Sequence, residues 1–376
     1  MSTSHDAPAR VRLAVVVLHH RGWDDTRACL ETLARQGGAD AMQVILVDNS
    51  GDADAVGRAQ AWIAGGDGAA VVPPGHEPTR AASLVAVRGV PSERWTVLDE
   101  GDVPPGVTAA ADATRPLARW TLVRAVNRGF GAGMNVGLRL ALADPAVVAT
   151  WLLNNDTWVD ARAVCGILAA VARDADVGQW GTQVRWWNRP EVLQSDGGCE
   201  WFAWTARGRR TGDGVPIGAA GAGLATPRRI PWPGHCYGAS WVLRNDAVRD
   251  VGLLSEAAIV YGEELDWTGR ARGRWAAATI PGSVVWHREG ATAGAGAAGP
   301  KSAFADLQGV AARLRITRRF FAAARPTVYL TVAAAAVWRA VVRRQPDRAR
   351  AILRLLHAGD AALVVPPAGR PSAPLP

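Results

Sequence analysis

Cysteine is scarce. Cys29, Cys165, Cys199 and Cys236 are the only four in 376 residues, and none forms a CxxC pair. That is too few for a disulfide scaffold, and buried free thiols in a reducing compartment are expected. Lysine is scarcer: Lys301 is the only one among 42 basic residues. The arginine excess is read first as compositional bias. Long apolar runs are also missing. A spanning helix needs about 20 apolar residues, and an arginine near its centre costs about 2.5–3.5 kcal/mol. The best stretch, 327–342, is interrupted by Arg339. A helix that lies on a membrane or packs on the body is expected there, not one that spans. No secretory signal is visible, because residues 1–10 are polar and the apolar run 13–18 is short. The body is therefore expected to stay in the cytoplasm.

The charged fraction is only 20%, against 49% hydrophobic residues, which excludes wholesale disorder. The 41 glycines and 23 prolines show no collagen period, and no solenoid repeat is visible. The length fits one large α/β domain with an appendage, or two domains. The net charge of +8 is uneven. Between Arg313 and Arg354 there are eleven arginines and one acid, Asp347, which gives +10 and leaves −2 for the rest. Such a patch suits an anionic surface, either membrane or nucleic acid.

Periodicity gives the organisation. Residues 11–19 and 42–47 read as buried strands, joined by a helix that Asp24 can cap. This is a βαβ unit, so the two strands should be parallel. Residues 53–64 suit a helix, and short strands are expected near 84–87 and 95–98. The tract 52–118 is otherwise rich in Gly, Pro, Ala and Thr and reads as an insertion. Strands are expected at 120–126 and 147–153, with helices at 132–143 and 160–173. Residues 177–238 are rich in Trp and Gly. Their tryptophans are core material or platforms for sugar faces. A strand at 239–243, helices at 245–251 and 263–272, and a strand at 277–286 complete the body. A Gly/Ala linker at 290–300 and basic helices follow.

In open parallel sheets, ligands bind beyond the carboxyl ends of the strands. Polar residues stand at three such ends: Asp48, Asn127 and Asp156. Asp48 can meet a ribose or base edge, or simply form a turn. The turn between Asn127 and Asn135 opens a helix and can bring backbone N–H groups to a phosphate. Asn154-Asn155-Asp156 suits a divalent cation that holds a diphosphate, or is a strand-end turn. Glu263, Glu264 and Asp266 crowd three acids into four positions. Their repulsion raises at least one pKa. One aimed into a crevice can act as a general base, whereas a solvated face is the alternative. His287 is a metal ligand or a core residue.

Together these segments resemble family 2 glycosyltransferases of the GT-A fold. The segment 15–33, with Gly22-Trp23-Asp24-Asp25-Thr26, resembles the family's opening. Asp48-Asn49-Ser50, Asn127-Arg128-Gly129-Phe130-Gly131 with Asn135, and Leu153-Asn154-Asn155-Asp156-Thr157 follow in the family's order. The last resembles the variant DxD motif of the rhamnosyltransferase-like branch. Gly238-Ala239-Ser240, Glu263-Glu264-Leu265-Asp266-Trp267 with Arg270, and Trp286-His287-Arg288-Glu289-Gly290 complete it. Where the family has Asn-Tyr-Asn, this chain has His19-His20-Arg21.

The resemblance implies an α/β GT-A fold with a Rossmann-like, mostly parallel central sheet flanked by helices, plus a C-terminal helical appendage. The implied division is a disordered 1–10, a transferase domain at 11–295, basic helices at 296–358 and a disordered Pro-rich tail at 359–376. Within the domain, about 11–175 handles the nucleotide sugar and about 176–295 the acceptor. The implied nucleotide-sugar contacts are His19, Asp48, Asn49, Asn127, Gly129, Asn135, Asn154 and Asn155. Asp156 and His287 would hold Mg²⁺ or Mn²⁺. Glu264, beside Glu263, would be the base, and Asp266, Trp267 and Arg270 would shape the acceptor side.

The expected activity is therefore inverting, metal-assisted transfer of a sugar from a nucleotide-diphosphate donor to a glycan or lipid-linked hydroxyl. dTDP-rhamnose and a UDP-sugar are both open as donors, and polysaccharide or cell-wall synthesis is the expected setting. Attachment of the basic tail to anionic lipid at the inner membrane face is also expected. A nucleotidyltransferase needs a glycine- and lysine-rich phosphate loop, and residues 13–25 contain no lysine. The remaining rivals are an inactive sugar-binding module and an Arg-rich nucleic-acid binder, the latter without a recognition motif.

Overall fold

The computed structural model describes residues 12–36, 41–51, 53–63, 95–106, 119–218, 226–289 and 302–357. The expectations for 1–10, 84–87, 290–300 and 359–376 lie outside the described residues.

Two apolar runs form the centre of the sheet. β1 (Arg12–His19) and β2 (Met42–Asp48) are buried along nearly their whole length, as strands covered on both faces must be. They pair in parallel, with His19 opposite Asp48. α1 (Trp23–Ala34) joins them. Asp24 does not cap it. Gly22 takes that position at φ 75°, and Asp24 and Asp25 sit in the first turn, where their charge complements the helix dipole.

Then come α2 (Ala53–Ile63), β3 (Trp95–Asp99), β4 (Trp120–Arg124), α3 (Phe130–Ala143), β5 (Val147–Asn154), β6 (Thr157–Val159) and α4 (Ala163–Arg173). β1 alternates between two cores, as a strand's period of two requires. Leu13, Val15 and Val17 face α1 and α4, while Ala14, Val16 and Leu18 face α3. α3 lies close on β1: a Cβ at Gly133 or Gly137 would come within 2.5 Å of Leu18 or Val16.

The Trp- and Gly-rich tract, for which the sequence suggested no elements, is mostly strand. It holds β7 (Val177–Trp186), β8 (Arg189–Ser195), β9 (Gly198–Phe202), β10 (Arg207–Arg210) and β11 (His235–Cys236). β7 lacks an apolar pattern because Gln179, Thr182 and Gln183 are buried in it. Gln179 is satisfied only in the fold, accepting from the Trp241 indole at 3.0 Å and donating to Thr268 at 2.9 Å. β12 (Ser240–Arg244), α5 (Asn245–Val251), α6 (Glu263–Ala271) and β13 (Ala276–His287) close the body.

The main sheet runs β3-β4-β2-β1-β5-β12-β7-β13-β6, with β8 on β7. β12, β6 and β8 run against the other strands, so the sheet is mostly parallel. β9, β10 and β11 form a small second sheet.

The basic segment folds as α7 (Ala303–Phe320), α8 (Arg325–Val341) and α9 (Pro346–His357). Val310, Leu314, Val328, Val332, Ala336 and Ile352 make its core. α7 packs on the body: Arg319 pairs with Asp266, and Arg315 donates to the Tyr261 carbonyl at 3.1 Å. Among the described residues, no helix is long and apolar enough to cross a membrane.

Candidate active site

The parallel register carries the carboxyl ends of β1, β2 and β5 to one edge of the sheet. His19 lies opposite Asp48, and Leu18 opposite Asn154. β13 ends there too, with His287 opposite Thr157 of β6.

Asp156 and His287, 131 positions apart in sequence, touch at this edge. Nε2 of His287 is 3.1 Å from Oδ1 of Asp156, and both side chains are 5% exposed. Nδ1 of His287 lies 2.8 Å from Oε1 of Gln194 in β8. The Gln194 amide is oriented by its other end, which donates to Glu289 at 2.9 Å. Oε1 of Gln194 can only accept, so Nδ1 carries the hydrogen and Nε2 is turned to Asp156. Glu289 is held in turn by Arg210 at 2.8 Å. Burial alone would raise the Asp156 carboxyl; the charge and hydrogen bond of His287, with Arg288, outweigh it and hold Asp156 below its usual range.

Glu263 and Glu264 open α6 and point apart. Glu263 is 2% exposed, and among the described residues its Oε1 has no hydrogen-bond partner. Burial, then the charge of Glu264, pushes its pKa up to about 8. Glu264 is half-buried, and burial raises its pKa too. Its carboxylate lies against Gly238, where a Cβ would fall 1.7 Å from Oε1. The neighbouring Ala239 carbonyl accepts from the Asn154 N–H at 3.0 Å, and the Asn154 amide is 3.4 Å from Nε2 of His287. A chain of contacts through Gly238, Ala239 and Asn154 thus links Glu264 to the Asp156–His287 pair. Tyr261 feels this convergence: burial raises its pKa first, and then the charges of Glu289, Glu263 and Glu264.

The remaining polar residues divide by exposure. Asp48 is buried and accepts from the Ser50 N–H at 2.9 Å. Asn49 is 2% exposed, and among the described residues its Oδ1 has no hydrogen-bond partner. His19 bonds Thr26 at 2.8 Å. Asn127 is exposed and accepts from the Gly129 N–H at 3.1 Å. Gly129 itself is required, because at φ 105° a Cβ would strike the Ile259 backbone at 2.7 Å. Asn155 spends its amide on Arg21 O and Thr26 Oγ1, at 3.0 and 2.8 Å. Asn135 is 1% exposed and clamps Leu254 and Glu256. Asn135 and Asn155 thus hold loops beside the crevice.

Asp266, Trp267 and Arg270 are placed differently from the acceptor-side expectation. Asp266 is 2% exposed and pairs with Arg270 and Arg319. Arg270 also donates to the Val251 and Leu253 carbonyls, both at 2.7 Å. Trp267 is fully buried, with its indole on Gly252 O at 2.9 Å. At about 3.6 residues per turn, 266 and 270 lie on the side of α6 away from Glu264, and 267 lies on the flank between the two sides. All three fasten α6. A cavity of about 480 Å³, lined by Trp232, Arg272 and Trp275, lies at the start of β13 and the end of α6, away from the Asp156–His287 contact at the other end of β13.

No protein-family model matches the chain, and no curated protein matches it. The chain is similar to the solved structure of GalNAc-T7 with UDP, GalNAc and Mn²⁺, at TM-score 0.52 and 12% identity. The match covers 88% of this chain and 51% of that one, so this chain spans about half its length. The fold is GT-A. Two further likenesses score lower. One is TarS of S. aureus with UDP-GlcNAc, at TM-score 0.43 and 11% identity over 94% of this chain and 84% of that one. The other is the mannosyltransferase PcManGT from Pyrobaculum calidifontis with GDP-Man and Mn²⁺, at TM-score 0.44 and 14% identity over 92% and 86%. At these identities the likeness is one of fold.

Within this GT-A fold, Asp156 and His287 fit a divalent cation. Gln194 takes up Nδ1 of His287 and leaves Nε2, which faces Asp156, as the nitrogen that would bind a metal. Among the described residues, no cluster of three or more His, Cys, Asp or Glu forms a closed cage. Two protein donors suit a cation that takes its other ligands from phosphate oxygens and water. The sequence reading assigned no role to Gln194, Arg210 or Gly238. Gln194 and Arg210 lie on strands without a motif, and only the pairing of β8 with β7 and of β10 with β9 brings them in. Gly238 lies in a segment that resembles the family, but its contact with Glu264 is tertiary.

Proposed function

We propose that this chain is an inverting glycosyltransferase of the rhamnosyltransferase-like branch of family 2. The observation that carries the reading is the buried Asp156–His287 contact, oriented by Gln194, with the Glu264 carboxylate across Gly238. The donor is a nucleotide-diphosphate sugar, either dTDP-rhamnose or a UDP-sugar. The acceptor is a hydroxyl of a glycan or lipid-linked glycan, and the reaction takes place in the cytoplasm. About 11–175 serves the donor and about 176–295 the acceptor.

Asp48, Asn49 and the exposed Asn127 receive the nucleotide, with Asn127 and Gly129 at the opening of α3. Oδ1 of Asn49 has no partner among the described residues. Asp156 and His287 would hold Mg²⁺ or Mn²⁺, which would offset the charge that develops on the leaving diphosphate. The acceptor oxygen attacks the anomeric carbon from the face opposite the diphosphate. The new C–O bond forms as the bond to the diphosphate oxygen breaks, and its electron pair leaves with the diphosphate. Glu264 takes the hydroxyl proton. Its raised pKa improves it as a base, because proton affinity then approaches working pH. Glu263, buried behind it, keeps a proton of its own to about pH 8 and so spares the pair a second charge.

GalNAc-T7 was solved with UDP, GalNAc and Mn²⁺, and the same classes of ligand are expected here. A thermal-shift panel of nucleotide sugars with and without Mn²⁺ tests this. A metal-dependent rise in melting temperature is expected for dTDP-rhamnose or a UDP-sugar. A flat panel would remove the reading.

A further inference from the structure

α8 is apolar on two sides. Its inner side, Val328, Val332 and Ala336, is at most 1% exposed and packs on α7 and α9. Its outer side should be polar if it met only water. Instead Leu330 is 71% exposed, Val337 57%, Trp338 45% and Val341 72%, and Val342 just beyond is 61%. These positions recur at intervals of seven, eight, eleven and twelve, so they form one stripe. From 330 to 342 it runs about 18 Å at 1.5 Å per residue.

The stripe continues past the helix. Thr327 donates to the Trp204 carbonyl at 2.9 Å, and Trp204, at the tip of the β9–β10 hairpin, is 61% exposed. Phe202 on the same hairpin is 46% exposed. Arginines frame this surface at both ends. Arg325 and the pair Arg343 and Arg344 are exposed, and Arg343 lies 4.7 Å over Trp338. Arg209 covers Phe202 at 5.6 Å.

Such a patch needs a cover. A second copy would set the arginine ends of one stripe against those of the other in a two-fold contact. An anionic bilayer offers apolar depth for the stripe and opposite charge for its ends. Exposed tryptophans favour the boundary between the two. We propose that the outer face of α8, with the hairpin tip, docks on a membrane surface rich in anionic lipid. The helix lies flat, because among the described residues none can span. The β9–β10 hairpin also carries Arg210, which pairs with Glu289 beside His287. If the transferase reading holds, docking presents the crevice to lipid-linked acceptors. The docking itself does not depend on that reading.

The test is flotation of the full chain with vesicles of phosphatidylcholine and phosphatidylglycerol in equal parts, against pure phosphatidylcholine. Binding is expected to the anionic vesicles and to fall with salt. Leu330→Glu and Val341→Glu should each weaken it at least about tenfold, because each removes an exposed apolar side chain that docking would bury in the bilayer. Arg343→Gln should weaken it about fivefold. These are surface positions, and unchanged circular-dichroism melts would show that the fold is kept. Wild-type chain that stays out of the anionic vesicle layer would overturn the proposal. So would flotation that Leu330→Glu leaves intact, or a dimer in light scattering that Leu330→Glu dissolves. Nucleic-acid binding in gel shifts without vesicle binding would assign the arginines elsewhere. The nucleotide-sugar panel contains no lipid, so the two proposals fail separately.

Discussion

Gly238→Ala gives the sharpest test of the base. The backbone at 238 is not in the left-handed region, so alanine meets no strain there. Its Cβ would lie 1.7 Å from Oε1 of Glu264, 2.7 Å from Cδ and 3.1 Å from Cγ. All three nearest atoms belong to one flexible side chain. The carboxylate oxygen must retreat about 1.7 Å to reach an ordinary contact of 3.4 Å. Rotating one side chain off its rotamer costs about 0.5–1.5 kcal/mol, so the fold should survive. A displacement of about 1 Å at a reacting group costs on the order of 10²-fold in rate. Glu264→Gln, which removes the base altogether, should cost about 10²–10⁴-fold. Steady-state kinetics should therefore show Gly238→Ala with turnover lowered about a hundredfold, a nearly unchanged donor dissociation constant and a retained melting temperature. Near-normal turnover in either variant would refute the role of Glu264. Weak donor binding with normal turnover would move Glu264 to the donor pocket.

Three further outcomes are expected. Asp156→Ala should abolish metal-dependent donor binding in calorimetry; unchanged affinity with Mn²⁺ present would reject the metal assignment. Gln194→Leu removes the acceptor for Nδ1 of His287, so Mn²⁺ affinity, read by electron paramagnetic resonance, should fall about 10–100-fold. Glu263 sets a pH dependence of stability. Its folded pKa of about 8 lies above the ordinary 4.5. Below the lower value both states hold the proton and there is no penalty. Between the two, only the unfolded chain ionises, so stability falls as pH rises until about pH 8. Glu263→Gln should flatten that fall in urea unfolding at about pH 5 and about pH 8, and an unaltered slope would assign the dependence elsewhere.

Much of the fold could be read in the chain because its signals are local. The runs that became β1, β2, β5 and β13 are apolar over the span of a strand, and buried parallel strands require that. The helix 245–251 was expected at the bounds it has, α5 (Asn245–Val251). β7 escaped because its buried glutamines and threonine look like surface until Trp241 and Thr268 supply partners for Gln179, Ser240 for Thr182 and Arg185 for Gln183. The polar strand ends could be located but not sorted. Asn135 and Asn155 read like ligands, yet each spends its amide on a neighbouring loop. The family resemblance implied acceptor contacts for Trp267 and Arg270, but in the fold both are spent on packing α6.

The sequence by itself determined the alternation of strand and helix, the parallel βαβ start and the concentration of positive charge in the last helices. Each of these depends on residues a few positions apart. Only the tertiary structure decided which carboxylate lies against Gly238, what orients His287, and that an apolar stripe on α8 is exposed among the described residues. Those are properties of groups far apart in the chain, and the residues themselves are the same whether the fold buries, pairs or exposes them.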